Sequence, residues 1–416
     1  MTLSQELTWR GFKNQTTFKD PAALDGEPIG FYFGVDPSAD SMTIGNLAAA
    51  MMVRHFINHG HKAFLLVGGA TGMIGDPDGK KQERDLLTLE TIAHNKAHIA
   101  EQYRRVFAGQ NFEIVDNYDW FKDMGYLDFL RTIGKHVPVS QMLGRDFVQS
   151  RLGEDGAGIS YAEFSYSLIQ GYDFLHLYQE KGVTLQLCGA DQWGNSLAGV
   201  DIIRRVTGGE AHVWSSPLVI NRATGLKFGK TEDGAIWLDP QKTTPTQFYQ
   251  FWVNCDDEGI EDYLKVYTLL SQQEIITIVD EHRLQPGKRV AQQRLAEAVT
   301  LLVHGSEALG QAQAMTAVLT GQMSLEELEE NDLRALRLEI PSLQAAVGGS
   351  VLEALVSSGL ATSLSEARRL VSGNAIAING QKIAREQFEP ADFIDGRLLL
   401  RRGKALKDAA LVEVTT

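Results

Sequence analysis

The sequence predicts an α/β protein with a mostly parallel sheet in its first half, a run of helices after it, and a small α+β unit at the end. Three observations predict this. Short apolar runs alternate with helix-spaced segments from about residue 28 to residue 220. After Lys230 the strands stop, and residues 245–320 read as consecutive helices. The charge changes sign along the chain: the whole carries −14, whereas residues 361–416 hold nine Lys/Arg against seven Asp/Glu.

Each element has a local reason. Residues 31–35, 63–67, 112–115 and 183–187 are short, apolar and bounded by Gly, Asp or a polar turn, as buried strands are. Residues 44–59 place Leu47, Met51, Met52 and Phe56 at helical spacing and stop at Gly60. Residues 89–107, 164–178 and 192–205 are further helices. A sheet built this way takes its ligand at the carboxyl ends of the strands. In the helical region, residues 289–303 carry Val290, Leu295, Val299, Leu302 and Val303. The acidic stretch 323–349 reads as a connector. Beyond it, helices at 352–358 and 364–372 precede a strand at 375–378 and the hairpin turn Asn379-Gly380.

Composition bounds the possibilities. At 416 residues the chain exceeds one ordinary domain, so two or three are expected. No apolar run is long enough to span a bilayer, and the first residues lack the basic and apolar stretches of a secretory signal. Cys188 and Cys255 are the only cysteines and form no Cys-x-x-Cys pair, which fits a reduced cytoplasm and argues against a Cys-rich zinc site. A net charge of −14 excludes a protein coated in basic charge, so any RNA contact must come from local patches.

Two distant segments suggest a nucleotide gripped from two sides. Residues 34–46 run from a strand through a turn to a helix start, whose N–H groups and dipole favour phosphate. Lys227-Phe228-Gly229-Lys230-Thr231 places two lysines on a short glycine-containing loop. A third segment, 68–81, is a glycine-rich loop after a strand, followed by Lys80 and Arg84 at a spacing that lets both reach one anion if a helix begins there. Taken alone, such a loop reads better as a solvated surface turn. Neither lysine segment fits a Walker loop, because only three residues separate the glycines in 225–229, and no Gly-x-Gly-x-x-Gly follows a strand. His94 and His98 sit four apart without the glutamate of a zinc protease and read as a solvated helix face. Cys188 reads as a small core residue.

The richest stretch is 166–195. Tyr166, Gln170 and Asp173 share one helix face. Spacing alone supports two readings equally, an inward polar face or the outer side of an amphipathic helix. Residues 186–195 then end a strand with Gly189, Asp191 and Gln192, where a ribose could be held.

Together these segments resemble bacterial tyrosyl-tRNA synthetases over nearly the whole chain. Residues 227–231 resemble that family's KMSKS signature, and 34–46 the segment ending in its HIGH signature. Residues 67–72, 118–121, 191–195 and 248–252 are similar to further family stretches and occur in the family's order. The resemblance implies a Rossmann-like parallel-sheet catalytic domain over 1–225. It implies a signature loop with a helical anticodon-side domain over 226–322, a linker over 323–349, and a ribosomal-protein-like RNA-binding domain over 350–416. It also implies roles. Tyr32 and Asp173 match the pair that bonds the substrate phenol, and Gln186 belongs to the same tyrosine site. Tyr166, Gln170 and Asp76 match the residues around the ammonium. Asp36, Ser38, Gly45, Gly189, Asp191 and Gln192 match positions around ATP and the adenylate. Lys80, Arg84, Lys227 and Lys230 match the groups that grip pyrophosphate, with Thr231, Thr43 and Asn46 in the two signatures. Arg368 and Arg369 match the RNA-contacting helix.

One position departs from the family pattern: Thr43 stands where the family usually has His. A hydroxyl can still donate to a phosphate oxygen, but it is shorter and never charged. The activity implied is tyrosine–tRNA ligation with ATP and Mg²⁺, with L-tyrosine and tRNA(Tyr) as partners, in a cytoplasmic homodimer with no membrane contact and no protein-bound metal. The alternatives are a tryptophan-specific relative or an RNA-binding protein that keeps the fold with weakened activity.

Overall fold

In the computed structural model, the described residues are 1–77, 85–153, 158–222, 224–231, 234–403 and 406–415. The chain divides into two compact units, Met1–Asp239 with Cys255–Ala291, and Pro240–Asn254 with Gln292–Thr416.

The first unit is organised by a sheet of β1 (Gln15–Thr16), β2 (Gly30–Val35), β3 (Lys62–Val67), β4 (Phe112–Val115), β5 (Val183–Gly189) and β6 (His212–Ser216). The spatial order is β1-β6-β5-β2-β3-β4, and only the short edge strand β1 runs antiparallel. β3 buries five consecutive residues, as a strand covered on both faces must. The strand order reverses beside β2, which pairs with β3 on one side and β5 on the other, through Tyr32 to Phe64 and Gln186. A crevice at the carboxyl ends of β2 and β5 follows from that reversal.

Helices α1 (Leu3–Arg10), α2 (Ile44–Asn58), α3 (Gly69–Ile74) and α4 (Leu89–Val106) belong to the first half of this unit. Residues 69–74, read from sequence as part of a glycine-rich loop, form α3; the small residues let it pack close beneath Pro37 and Asp116. Short helices α5 (Tyr118–Phe121), α6 (Tyr126–Thr132), α7 (Val139–Leu143) and α8 (Asp146–Leu152) lead to the long α9 (Tyr161–Lys181) and to α10 (Trp193–Thr207). α9 starts at Ser160, whose hydroxyl accepts from Glu163 N, and ends at Gly182 in the left-handed region (φ 67°). Tyr32, Phe64, Leu66, Phe174, Leu175, Leu177, Val183, Ile202 and Ile203 form a core between α9, α10 and the sheet. A small ribbon of β7 (Lys230–Thr231) and β8 (Gly234–Ala235) follows. The unit closes with α12 (Ile260–Tyr267) and α13 (Gln272–Leu284).

The second unit contains α11 (Pro245–Val253), capped by Thr244, and most of α14 (Val290–Thr320), which kinks at Gly305. Its sheet has the order β11-β10-β12-β13-β9, from β9 (Ser342–Ala345), β10 (Ala377–Ile378), β11 (Gln381–Lys382), β12 (Arg397–Arg401) and β13 (Ala409–Val414). The hairpin expected at Asn379-Gly380 is present, with φ of 47° and 82°. The strand before it is shorter than expected and begins at Ala377.

The stretch read as a connector is folded. Residues 323–349 hold α15 (Glu330–Glu339) and β9, which pairs in parallel with β13. Leu325, Leu328, Leu333 and Leu336 pack with Met315, Leu319, Leu399 and Leu411 in one buried cluster. The acidic side chains drew the reading, but the leucines between them supply the packing. Helices α16 (Val351–Ser357) and α17 (Leu364–Ser372) complete this unit.

Candidate active site

A cavity of about 420 Å³ opens at the carboxyl ends of β2 and β5. Most residues singled out from sequence line it: Tyr32, Asp36, Ser38, Thr43, Gly45, Asn46, Asp76, Tyr166, Gln170, Asp173, Gln186, Gly189, Asp191, Gln192 and Lys227. Lys80 and Arg84 lie outside the described residues. Lys230 and Thr231 are placed in β7, and their side chains also lie outside what is described.

At one end the walls are buried and polar. Asp173, 1 % exposed, accepts from Trp120 Nε1 at 2.9 Å and Asn117 Nδ2 at 3.1 Å. Burial pushes its carboxyl well above the usual aspartate range; the Asn117 and Trp120 hydrogen bonds pull the other way, and the negative charges of Asp36 and Asp116 reinforce the rise. Burial, helped by the charge of Asp173, likewise raises the Tyr32 phenol, so it stays a neutral donor. Tyr32 Oη, Gln170 Oε1 and Gln186 Oε1 are buried and have no hydrogen-bond partner among the described residues. Buried polar atoms are rarely left unpaired, so three at one cavity point to a polar ligand.

The helix face of Tyr166, Gln170 and Asp173 therefore points inward, which decides between the two readings open in the sequence. Tyr166 donates to Asp36 Oδ2 at 2.6 Å, and burial foremost, with the charges of Asp36 and Asp76, raises its phenol. Gln192 Nε2 donates to Asp76 Oδ2. Gln192 in turn accepts from Asn195 Nδ2 at 3.3 Å, and Asn195 from Arg145 at 2.8 Å.

The other end is assembled from backbone pairings. The N-terminal turn of α2 contributes Thr43, Gly45 and Asn46. Thr43 N and Thr43 Oγ1 both donate to Asn46 Oδ1, at 2.9 and 3.0 Å. Ile44 N donates to Ile236 O at 3.1 Å, and Leu238 N to Met42 O at 2.8 Å, tying this turn to the chain after β8. The hairpin 219–229 is closed by Phe228 N to Val219 O at 2.9 Å and by Asn221 N to Leu226 O at 2.9 Å. Gly229 takes φ of 87°, and a Cβ there would lie 2.7 Å from Ile44 Cδ1. Only glycine satisfies both constraints, so the two signature segments touch at Ile44 and Gly229.

Other residues fall elsewhere. His94 and His98 lie with ring centres 4.2 Å apart and planes tilted by 38° on an exposed face, and among the described residues no group of three or more His, Cys, Asp or Glu is placed to hold a metal ion. Cys188 borders the cavity, and burial pushes its thiol up to about 12, which keeps it protonated. Arg368 and Arg369 lie exposed on α17, with Arg368 paired to Glu386 at 3.0 Å.

Sequence reasoning had not assigned roles to Asn117, Trp120 and Thr71. Asn117 bonds Asp173, Thr71 Oγ1 at 3.1 Å and Ala70 N at 2.6 Å, so it fixes one side of the Asp173 carboxyl. The available signal was its place two residues past β4, at the carboxyl end of a parallel strand.

A doubly wound sheet whose cavity joins a buried polar end to a helix N-terminus and a lysine-bearing hairpin defines a nucleotide-dependent enzyme of the class I synthetase type. Residues 24–319 match the family described as tRNA synthetases class I (W and Y), and residues 332–407 match the Tyrosine--tRNA ligase SYY-like C-terminal domain. The tyrosine--tRNA ligase of Bacteroides thetaiotaomicron is 42 % identical over 97 % of this chain and 98 % of its own. That of Bacillus caldotenax is 44 % identical over the same shares. A solved structure of a C-terminally truncated mitochondrial tyrosyl-tRNA synthetase from Aspergillus nidulans superposes with a TM-score of 0.69. It is 29 % identical and covers 76 % of this chain and 93 % of that one. The chain belongs to the tyrosine–tRNA ligase family of class I aminoacyl-tRNA synthetases.

Proposed function

We propose that this chain activates L-tyrosine with ATP and transfers it to the 3′ end of tRNA(Tyr). The observation that carries this reading is the pairing, in one cavity, of buried partnerless polar atoms with a buried carboxyl at one end and the two signature segments at the other. The substrate phenol bonds Asp173 and Tyr32. Tyr166, Gln170 and Asp76 surround the ammonium, with Gln186 at its side. The substrate carboxylate attacks the α-phosphorus of ATP, the bond to the β-phosphate oxygen breaks, and pyrophosphate leaves with the bonding pair. A ribose hydroxyl of the terminal adenosine then attacks the activated carbonyl, and AMP departs. Neither step needs a protein nucleophile; the chain contributes position and charge.

Mg²⁺ enters with ATP as substrate. Asp36, Ser38, Gly45, Gly189, Asp191 and Gln192 hold the adenylate, while Thr43, Asn46, Thr231, Lys80, Arg84, Lys227 and Lys230 meet the phosphates. Functionally, 1–225 performs activation, 226–322 supplies the signature loop and anticodon-side helices, and 350–416 contacts RNA through Arg368 and Arg369. Membership of the family supports a cytoplasmic homodimer. Among the described residues no helix is long and apolar enough to cross a membrane.

Tyrosine-dependent exchange of labelled pyrophosphate into ATP tests the reading. Exchange is expected with tyrosine and not with phenylalanine or tryptophan. A preference for tryptophan would transfer the assignment to the tryptophan-specific relative, and no exchange with any of the three would leave only the fold.

A further inference from the structure

The hairpin 219–229 carries Lys227 and leads into Lys230, yet the two-residue ribbon β7–β8 beyond it is too short to hold it firmly. Its anchor lies in α12. Phe228, 6 % exposed, stacks on Tyr263, with ring centres 4.2 Å apart and planes 28° from parallel. The tip of the Tyr263 ring lies against Gly259. A Cβ at Gly259 would lie 2.7 Å from Tyr263 Cε2, although its φ of −95° is open to any residue. Glycine there makes room for the ring. One residue before Tyr263, Asp262 pairs with Arg222 in the turn of the hairpin, at 2.7 Å. The other end of α12 is clamped by the buried Arg10, whose guanidinium donates to Lys265 O, Thr268 O and Leu270 O at 2.9, 3.0 and 2.7 Å.

We propose that α12 is the seat of the lysine hairpin, and that Tyr263, stacked on Phe228 and abutting Gly259, is a positioning residue for the ATP-dependent step. The clamp at Arg10 fixes the helix, the ring stack fixes Phe228, and Phe228 sets where Lys227 and Gly229 stand against α2.

This deepens the activation reading above and rests on it. The test compares Tyr263→Leu, Tyr263→Phe and Gly259→Ala in the full chain. Tyr263→Leu should lower kcat/KM for ATP in pyrophosphate exchange by roughly tenfold, the scale of one aromatic stack. Tyrosine binding measured without ATP should stay within about twofold. Tyr263→Phe should restore exchange to within about twofold of the parent, and Gly259→Ala should reproduce the Tyr263→Leu defect. Amide hydrogen exchange at Phe228 and Ile236, whose N–H groups close the hairpin and its exit, should accelerate in Tyr263→Leu and Gly259→Ala and not in Tyr263→Phe. Equal loss of tyrosine affinity and exchange rate, failure of Tyr263→Phe to rescue, or unchanged amide protection would each overturn the proposal. A parent protein that performs no exchange would refute the activation reading instead, and the amide measurements would still decide the seat.

Discussion

The two ends of the cavity are built in different ways. Tyr32, Asp173 and Gln186 stand on the adjoining strands β2 and β5 and on the long helix α9, all nearly inaccessible. Their carbon frameworks are packed, while Tyr32 Oη and Gln186 Oε1 lack partners among the described residues. At the other end, Thr43, Asn46 and Lys227 are half-buried or exposed, and the elements that carry them meet through a few main-chain bonds and one close approach at Gly229. A rigid end with unpaired polar groups discriminates, because a ligand lacking the matching group leaves a buried atom unsatisfied. A lightly tied end can adjust as charge develops on phosphate, and its contribution is to rate.

Substitutions can break this contrast. The largest effect is expected at Asp173. Preference for tyrosine over phenylalanine at such a site is on the order of 10⁴–10⁵, a figure for which tyrosine-specific synthetases are themselves the standard example. Asp173→Ala should collapse much of that preference, read as the ratio of kcat/KM for the two amino acids in pyrophosphate exchange; an unchanged ratio would remove Asp173 from the selecting end. Lys230→Ala should lower the exchange kcat by roughly 10²–10³ while tyrosine binding stays level, as expected for a group acting only in the transition state. Parallel losses in rate and tyrosine affinity would erase the distinction between the ends.

Gly229→Ala should cost about tenfold in exchange, a few kcal/mol of backbone strain and collision with Ile44 being partly relieved by movement of the hairpin. Stopped-flow binding of tyrosine should be unaffected by it.

The smallest effect concerns the frame behind the α2 end of the cavity. Glu6 on α1 accepts from Arg10, which clamps α12, and lies 3.2 Å from His55 on α2. The hydrogen bond from His55 chiefly, with that from Arg10, holds the Glu6 carboxyl down at about 2, against a partial opposing rise from burial. Burial keeps His55 itself below the usual histidine value, so its imidazole donates as a neutral group. A depressed carboxylate stabilises the fold above its ordinary value of 4.5, and that stability is lost as pH falls from there through about 2. Thermal unfolding of the parent should show this acid limb, and Glu6→Gln should flatten it. Identical slopes would separate Glu6 from the frame.

Much of this architecture was legible in the chain. Apolar runs identified β2, β3, β4 and β5 to within two residues at either end, and 3.6-residue periodicity identified α2, α4, α9 and α10, because these elements bury whole faces. The short edge strand β1, its neighbour β6 and the short helices between β4 and α9 left weaker patterns. Residues 323–349 were misleading because their acidic side chains face outward while four leucines pack inward. In the cavity, residue types and a family resemblance brought out the lining residues. Asn117 and Trp120 were harder to see, since their importance lies in which atom of Asp173 each one bonds.

Sequence alone determined the alternation of strand and helix, the glycines at the turns and the two signature segments, all of which depend on neighbours a few residues apart. Tertiary structure decided that the polar face of α9 points inward, that Gly229 rests on Ile44 and that Tyr263 backs Phe228. Those contacts join residues 35 and 185 positions apart or link a helix to the core it covers, and only the packed chain fixes such distances.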